Sequence, residues 1–160
     1  MDSPFHRYED GKDLSELTLE SLASLEGIKV EINEAVSAID KETFLDLDLR
    51  DKAVLVQTHW SRHWNTEAYY EGHPFLTEAA AMYLRDSGAK LVGIDSYNID
   101  DSSGKERPVH STLLGAEILI VEHMCNLEAV PTSGFKFYAV PVKIIGFGTF
   151  PVRAFAELEM

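Results

Sequence analysis

TEAAAMYLRDSGAKLVGID, residues 77–95, carries a complete helix-to-strand unit in one uninterrupted stretch. Thr77 is a helix-capping residue type set before a run of strong helix formers, and Gly88 supplies the stop. KLVGID (90–95) follows as an apolar run too short for a helix and bounded by a turn signal, which predicts a buried strand. A strand that is apolar on both faces needs cover on both sides. Helices feeding such strands are the mark of an α/β protein.

Working outward, AVLVQT (53–58) and EILIVE (117–122) are apolar runs of the same kind, and IKVEI (28–32) alternates as a strand does. VHSTLLG (109–115), ended by Gly115, predicts a short helix leading into EILIVE. LSELTLESLASL (14–25) places Leu14, Leu17, Leu22 and Leu25 at nearly helical intervals, so a helix stopped by Gly27 is expected there; KETFLDLDL (41–49) is weakly helical. FKFYAVPVKIIG (135–146) and PVRAFAEL (151–158) read as strands separated by turns at Ser133-Gly134 and Gly146-Phe147-Gly148. HWSRHWNTEAYYEGHP (59–74) has no clean period and reads as a loop with aromatic anchors, and IDDSSGKERP (99–108) as an exposed loop. With no repeat or composition shift, the expectation is an α/β fold: one mixed-sheet domain over 1–160.

Composition excludes several partners. The 27 acidic residues against 14 Lys and Arg give a formal net charge of -13, which repels nucleic acid and anionic membrane surfaces. The single cysteine, Cys125, cannot close an internal disulfide and reads as a buried small residue in a reducing compartment. No apolar run reaches membrane-spanning length and the start lacks a signal peptide's pattern, so a soluble, cytoplasmic protein is expected.

Two residues stand out as candidates for chemistry. Glu122 closes the apolar strand EILIVE, where a carboxylate is costly unless a cation or a metal ion pairs with it, and His110 stands near the start of the short helix. Alone, each is as well explained by a solvated or ion-paired side chain. His73, beside Pro74, and His123, on the alternate face from Glu122, read as structural; Asp100, Asp101 and Glu106 read as a solvated acidic cluster. Gly146-x-Gly148 lacks the further residues of a phosphate loop and reads as a plain turn.

MDSPFHR, QTHWSRHWNTEAYYEGHPFLTEAAAMYL, KLVGIDS, VHSTLLGAEILIVEHMCNLEAVP and GFKFYAVPVKI, taken in order, resemble the cyclase family of metal-dependent hydrolases, which includes kynurenine formamidases and isatin hydrolases. The family signature is H-x-G-T-H-x-D-x-P-x-H. Asp2, Pro4 and His6 match its second half, and the chain starts inside the motif, so the resemblance implies the family's swivelling β/β/α fold without its leading strand. It further implies a divalent metal, zinc or manganese, with Asp2, His110 and Glu122 as ligands and His6 as the proton donor and acceptor. The reaction implied is hydrolysis of an amide, formamide or cyclic amide, with a small molecule as substrate. Trp60, Arg62, His63 and Trp64 match a W-S-R-H-W stretch that lies near the active-site mouth in the family, with His59 where a glycine is more usual; anchoring of the loop is the competing role. The family also implies a homo-oligomer, in keeping with an unpaired sheet edge. A catalytically impaired fragment or descendant acting as a binding or assembly module is the alternative, and an unread upstream start is a third.

Overall fold

The computed structural model describes residues 1–33 and 36–158. Its strands, in chain order, are β1 (Leu25–Glu31), β2 (Ala38–Ile39), β3 (Ala53–Gln57), β4 (Phe75–Leu76), β5 (Leu91–Ile94), β6 (Leu119–Val121), β7 (Phe135–Tyr138) and β8 (Phe155–Leu158). The main sheet runs β6-β5-β3-β1-β7-β8, and β2 pairs with β4 apart from it. The four strands β1, β3, β5 and β6 are mutually parallel, whereas β7 and β8 add antiparallel strands at one side.

Parallel neighbours need crossovers, and helices supply two of the three: α1 (Glu78–Asp86) between β3 and β5, and α2 (Pro108–Gly115) between β5 and β6. Thr77 caps α1 by accepting the Ala80 amide, as its residue type predicts. Every residue of β3, β5 and β6 is buried, which is what strands apolar on both faces require. Val54, Val56, Val92, Ile94 and Ile120 pack with the helices, while Leu55, Leu91, Leu119 and Val121 pack with Leu14, Leu17, Leu22, Phe135 and Phe137 on the other face. The fold is thus mixed α/β. Because β1, β3, β5 and β6 are parallel, their carboxyl ends lie along one edge, where Gln57 ends β3 and Asp95 and Glu122 follow β5 and β6, and where open α/β sheets place their ligands.

Residues 14–25 do not form the expected helix. The segment holds one 3-10 turn, Leu19–Ser21, between an extended Thr18 and a left-handed Ser24, and Leu25 already belongs to β1. Leu14, Leu17, Leu22 and Leu25 nevertheless all enter one core cluster. Their spacing selected which side chains are buried without dictating a helical backbone. Gly27 is not a helix stop but a mid-strand position covered by the Phe135 ring, which leaves no room for a Cβ. Residues 41–44 form a single 3-10 turn capped by Asp40. Cys125 is exposed rather than buried, because β6 ends at Val121 and the chain turns away before reaching it.

The amino-terminal residues dock on the outer side of β6. The Asp2 amide donates to the Ile120 carbonyl at 2.8 Å, the Ser3 amide to Gly148 at 2.7 Å, and Phe150 N–H to Met1 C=O at 3.1 Å. The β6 edge is therefore occupied at Ile120. Among the described residues no helix is long and apolar enough to cross a membrane.

Gly148 is required by this docking: a Cβ there would run into the His6 backbone nitrogen. Gly148→Ala is expected to lower stability by about 1–3 kcal/mol through overpacking against backbone. Urea denaturation of wild type and variant measures it, and an unchanged midpoint would refute the close approach.

Candidate metal centre

Three segments distant in sequence meet beyond the carboxyl end of β6. Asp2 is held by its two backbone bonds with Ile120, so its side chain is placed by main-chain pairing rather than by packing. Glu122 directly follows β6, and its Oε1 accepts the Ile99 amide at 2.7 Å. His110 lies in the first turn of α2, whose fixed start is Pro108.

The residue that orients His110 is Asp100. Arg107, at the N-cap of α2, offers no side-chain cap, and the orphan amides of the first turn are satisfied from the preceding loop. Asp100 Oδ1 accepts the Val109 amide at 2.7 Å and Oδ2 accepts the His110 amide at 3.0 Å. The same Oδ2 lies 2.6 Å from His110 Nδ1. A carboxylate there makes Nδ1 the protonated nitrogen and leaves Nε2 as the free donor atom. Nε2 faces Asp2 Oδ2 at 3.8 Å and Glu122 Oε1 at 3.7 Å. Ligand atoms of Asp2, His110 and Glu122 all lie within 4.8 Å of one another, and the three side chains are largely withdrawn from solvent.

These donors fit a divalent cation. Two carboxylates and one imidazole converge in a poorly solvated site with no Lys or Arg among their ion-pair partners in the described residues. Burial raises the Glu122 carboxyl, the His110 charge opposes that and Asp2 adds to it, leaving Glu122 at about 7. Burial works against a charged His110, but Asp100, Asp2 and Glu122 outweigh it and lift the imidazole to about 9. For Asp2, burial is overcome by the neighbouring His110 and Thr149, and its carboxyl lies below the ordinary range. A proton on His110 thus supplies the positive charge that the carboxylates demand.

His6, on the 3-10 turn Pro4–His6, is exposed, and its ring lies 5.8 Å from that of His110, centroid to centroid. Of the W-S-R-H-W residues, Trp64 reaches an aromatic group near the cluster, packing against Tyr69 and His123. Burial and the Asp95 and Glu122 carboxylates raise the Tyr69 phenol above its usual range. Trp60 anchors the loop by donating Nε1–H to the Tyr69 carbonyl at 3.0 Å, and its ring packs on His63. Arg62 bonds His63 and opens onto a separate cleft with Cys125, Asn126 and Glu128. His59 has a positive φ of 62°, a conformation that favours glycine.

His73 is buried, bonded to Ser102 and packed on Tyr97, and His123 faces Tyr69; neither joins the cluster. The acidic-cluster reading of 99–108 holds for the exposed Asp101 and Glu106 but fails for Asp100, which is fully buried. A helix opening on Arg-Pro with no capping side chain of its own is the signal that an upstream acid must turn inward.

The Cyclase family model, described as "Putative cyclase", matches residues 1–101. The kynurenine formamidase of Geobacillus thermodenitrificans is 27% identical over 154 residues, covering 96% of this chain and 72% of that protein. That of Bacillus cereus is 28% identical over 155 residues, with the same shares. A solved "potential metal-dependent hydrolase with cyclase activity" superposes with a TM-score of 0.85 at 28% identity, covering 99% of this chain and 77% of that one. Isatin hydrolase A from Labrenzia aggregata shares the fold, with a TM-score of 0.86 at 21% identity over 98% of this chain and 71% of that one.

Asp100→Ala removes the support of His110 while leaving all three convergent donors in place. It is expected to weaken zinc or manganese binding about 10–100-fold. Competition against a chromophoric chelator reads this, and affinity equal to wild type would exclude the orienting role.

Proposed function

This chain belongs to the cyclase family, and from that membership we propose that it is a metal-dependent hydrolase of amides, formamides or cyclic amides, with Asp2, His110 and Glu122 holding the metal. The observation that carries this reading is the meeting of those three side chains within 4.8 Å around a carboxylate-supported imidazole. Carboxylate and imidazole donors together suit zinc and manganese. A bound divalent ion supplies polarisation of the scissile carbonyl and activation of the attacking water.

The chain's own residues do the rest. Asp100 keeps the His110 Nδ1 proton in place, so Nε2 is the atom that would be offered to a bound ion. His6, beside His110 but open to solvent, takes a proton from the attacking water and returns one to the leaving nitrogen, so that the amide C–N bond breaks without releasing an anionic amine. Trp64, with Tyr69 and His123, offers aromatic faces that suit a flat substrate such as an arylformamide. Trp60, Arg62 and His63 serve that wall by fixing the loop. Exposed Phe155 and Leu158 on the edge strand β8 support self-association of the chain.

His6→Ala is expected to lower kcat on an arylformamide by about 100–10,000-fold, with metal content unchanged. Steady-state assays paired with metal analysis decide it; full activity in the variant, or a wild type inactive with bound zinc or manganese, would sink the hydrolase reading. Chelation should abolish turnover and re-addition of the ion should restore it.

The protonated state of the metal-free cluster sets a pH dependence. With His110 at about 9 and Glu122 at about 7, an incoming cation must expel protons at neutral pH. Affinity is therefore expected to rise with pH from 6 to about 9 and then level off. Calorimetry in buffers of different ionisation enthalpy should show net proton release; proton uptake would contradict the assignment.

A further inference from the structure

Two buried acceptors stand without a partner at the carboxyl ends of β3 and β5: Gln57 Oε1 and Asp95 Oδ2. Both residues are at most 2% exposed. Val56 pairs with Ile94 in the parallel ladder, which continues into an Asp95 N–H bond to the Val56 carbonyl. Gln57 and Asp95 are thus lateral neighbours, on the sheet face they share with Leu55 and Leu91, at the ordinary interstrand spacing of about 4.8 Å. Two acceptors on neighbouring residues, both withdrawn from water, are unfavourable unless a proton is supplied to them.

The surrounding bonds already point one way. Asp95 Oδ1 accepts the Thr58 amide at 2.8 Å and the Thr58 hydroxyl at 2.5 Å, so only Oδ2 remains. Gln57 Nε2 lies 3.3 Å from His59 Nδ1, and His59 Nε2 lies 3.0 Å from Glu31 Oε1. We infer that Asp95 is a neutral carboxylic acid in the folded protein, donating its Oδ2 proton to Gln57 Oε1. Every group in the row then has a partner: Asp95 O–H to Gln57, Gln57 N–H to His59 Nδ1, and His59 Nε2–H to Glu31. The chain of bonds runs from the buried strand ends to the surface.

The charged neighbourhood agrees. Burial pushes the Asp95 carboxyl above its ordinary range, against the bonds from Thr58. Glu31 on β1, Tyr69 on the aromatic loop and Glu122 after β6 are the acidic groups facing this region, and Asp95 makes no ion pair among the described residues. On its outer side His59 shares a cleft with Arg62, Cys125 and Glu128.

Asp95 is consequently a positioning residue for the aromatic loop. Its Oδ1 holds Thr58, whose hydroxyl accepts the Trp60 amide at 3.2 Å, while the Gln57 link holds His59 at its left-handed φ. That the loop serves a substrate rests on the hydrolase reading; the proton chain does not.

Carbon-13 and nitrogen-15 NMR of the full chain, labelled at Asp and His, tests the inference without an activity assay. Asp95 should still show a protonated carboxyl above the free-aspartate pKa of about 3.9, and His59 Nδ1 should show the nitrogen-15 shift of a hydrogen-bond acceptor. Asp95→Asn, whose amide donates as the acid does, should preserve the His59 tautomer and the fluorescence of Trp60 and Trp64; Asp95→Ala should alter both. An ionised Asp95 with a doubly protonated His59, losing that proton in Asp95→Asn, would instead mean a reversed Gln57 amide and overturn the inference. Should Asp95→Ala fail to fold, wild type and Asp95→Asn decide the matter alone. An inactive but correctly titrating protein would count against the hydrolase reading only.

Discussion

The 2.6 Å contact between Asp100 and His110 Nδ1 is the interaction on which the site depends. One buried carboxylate satisfies the two orphan amides at the start of α2 and fixes the imidazole tautomer in the same act. Three donors to one carboxylate compensate its removal from water, which an isolated buried acid could not survive. Helix initiation and imidazole orientation are therefore a single event. A shift of α2 along its axis would break both.

Around that contact, the sheet acts as a jig. The parallel strands bring their carboxyl ends to one edge, and the chain leaving β5 runs through Ile99, whose amide holds Glu122, before reaching Asp100. Asp2 arrives from the other side through backbone bonds with Ile120, only two residues before Glu122. The three convergent donors thus hang on a few main-chain hydrogen bonds, whose directionality fixes position more closely than apolar packing alone. In a chain already rich in acids, concentrating carboxylates this way is electrostatically unfavourable until a cation arrives.

What was legible in the sequence follows the range of each signal. Residues 77–95 could be read because cap, helix formers, glycine and apolar run act locally. Residues 14–25 misled because nearly helical leucine spacing also fits a chain that crosses the core in turns, and the choice was made by contacts with Phe135 and Phe137 far downstream. Glu122 was conspicuous as a charge ending an apolar strand, whereas Asp100 hid among acids that do face solvent. Only the absent cap at Arg107 distinguished it. Cys125 was misplaced by extending a buried strand past its true end at Val121.

Backbone conformations that side chains ordinarily avoid occur at both ends of the strands, with Ser24, Asp51 and Glu117 just before β1, β3 and β6. His59 after β3, and His123 and Asn126 after β6, all have positive φ without being glycine. His59 and His123 let the chain turn two residues after a strand end, and Met124 then lies back against Gly93 of β5. At His59 the strain is offset by contacts a glycine could not make, to Glu31 on one side and Gln57 on the other. A side chain there converts a permissive hinge into a braced one. Strained residues held in place by surrounding bonds are expected where geometry must be kept to fractions of an ångström. The brace at His59 is anchored in turn on β3, whose residues are all buried, so the loop after that strand starts from a fixed base.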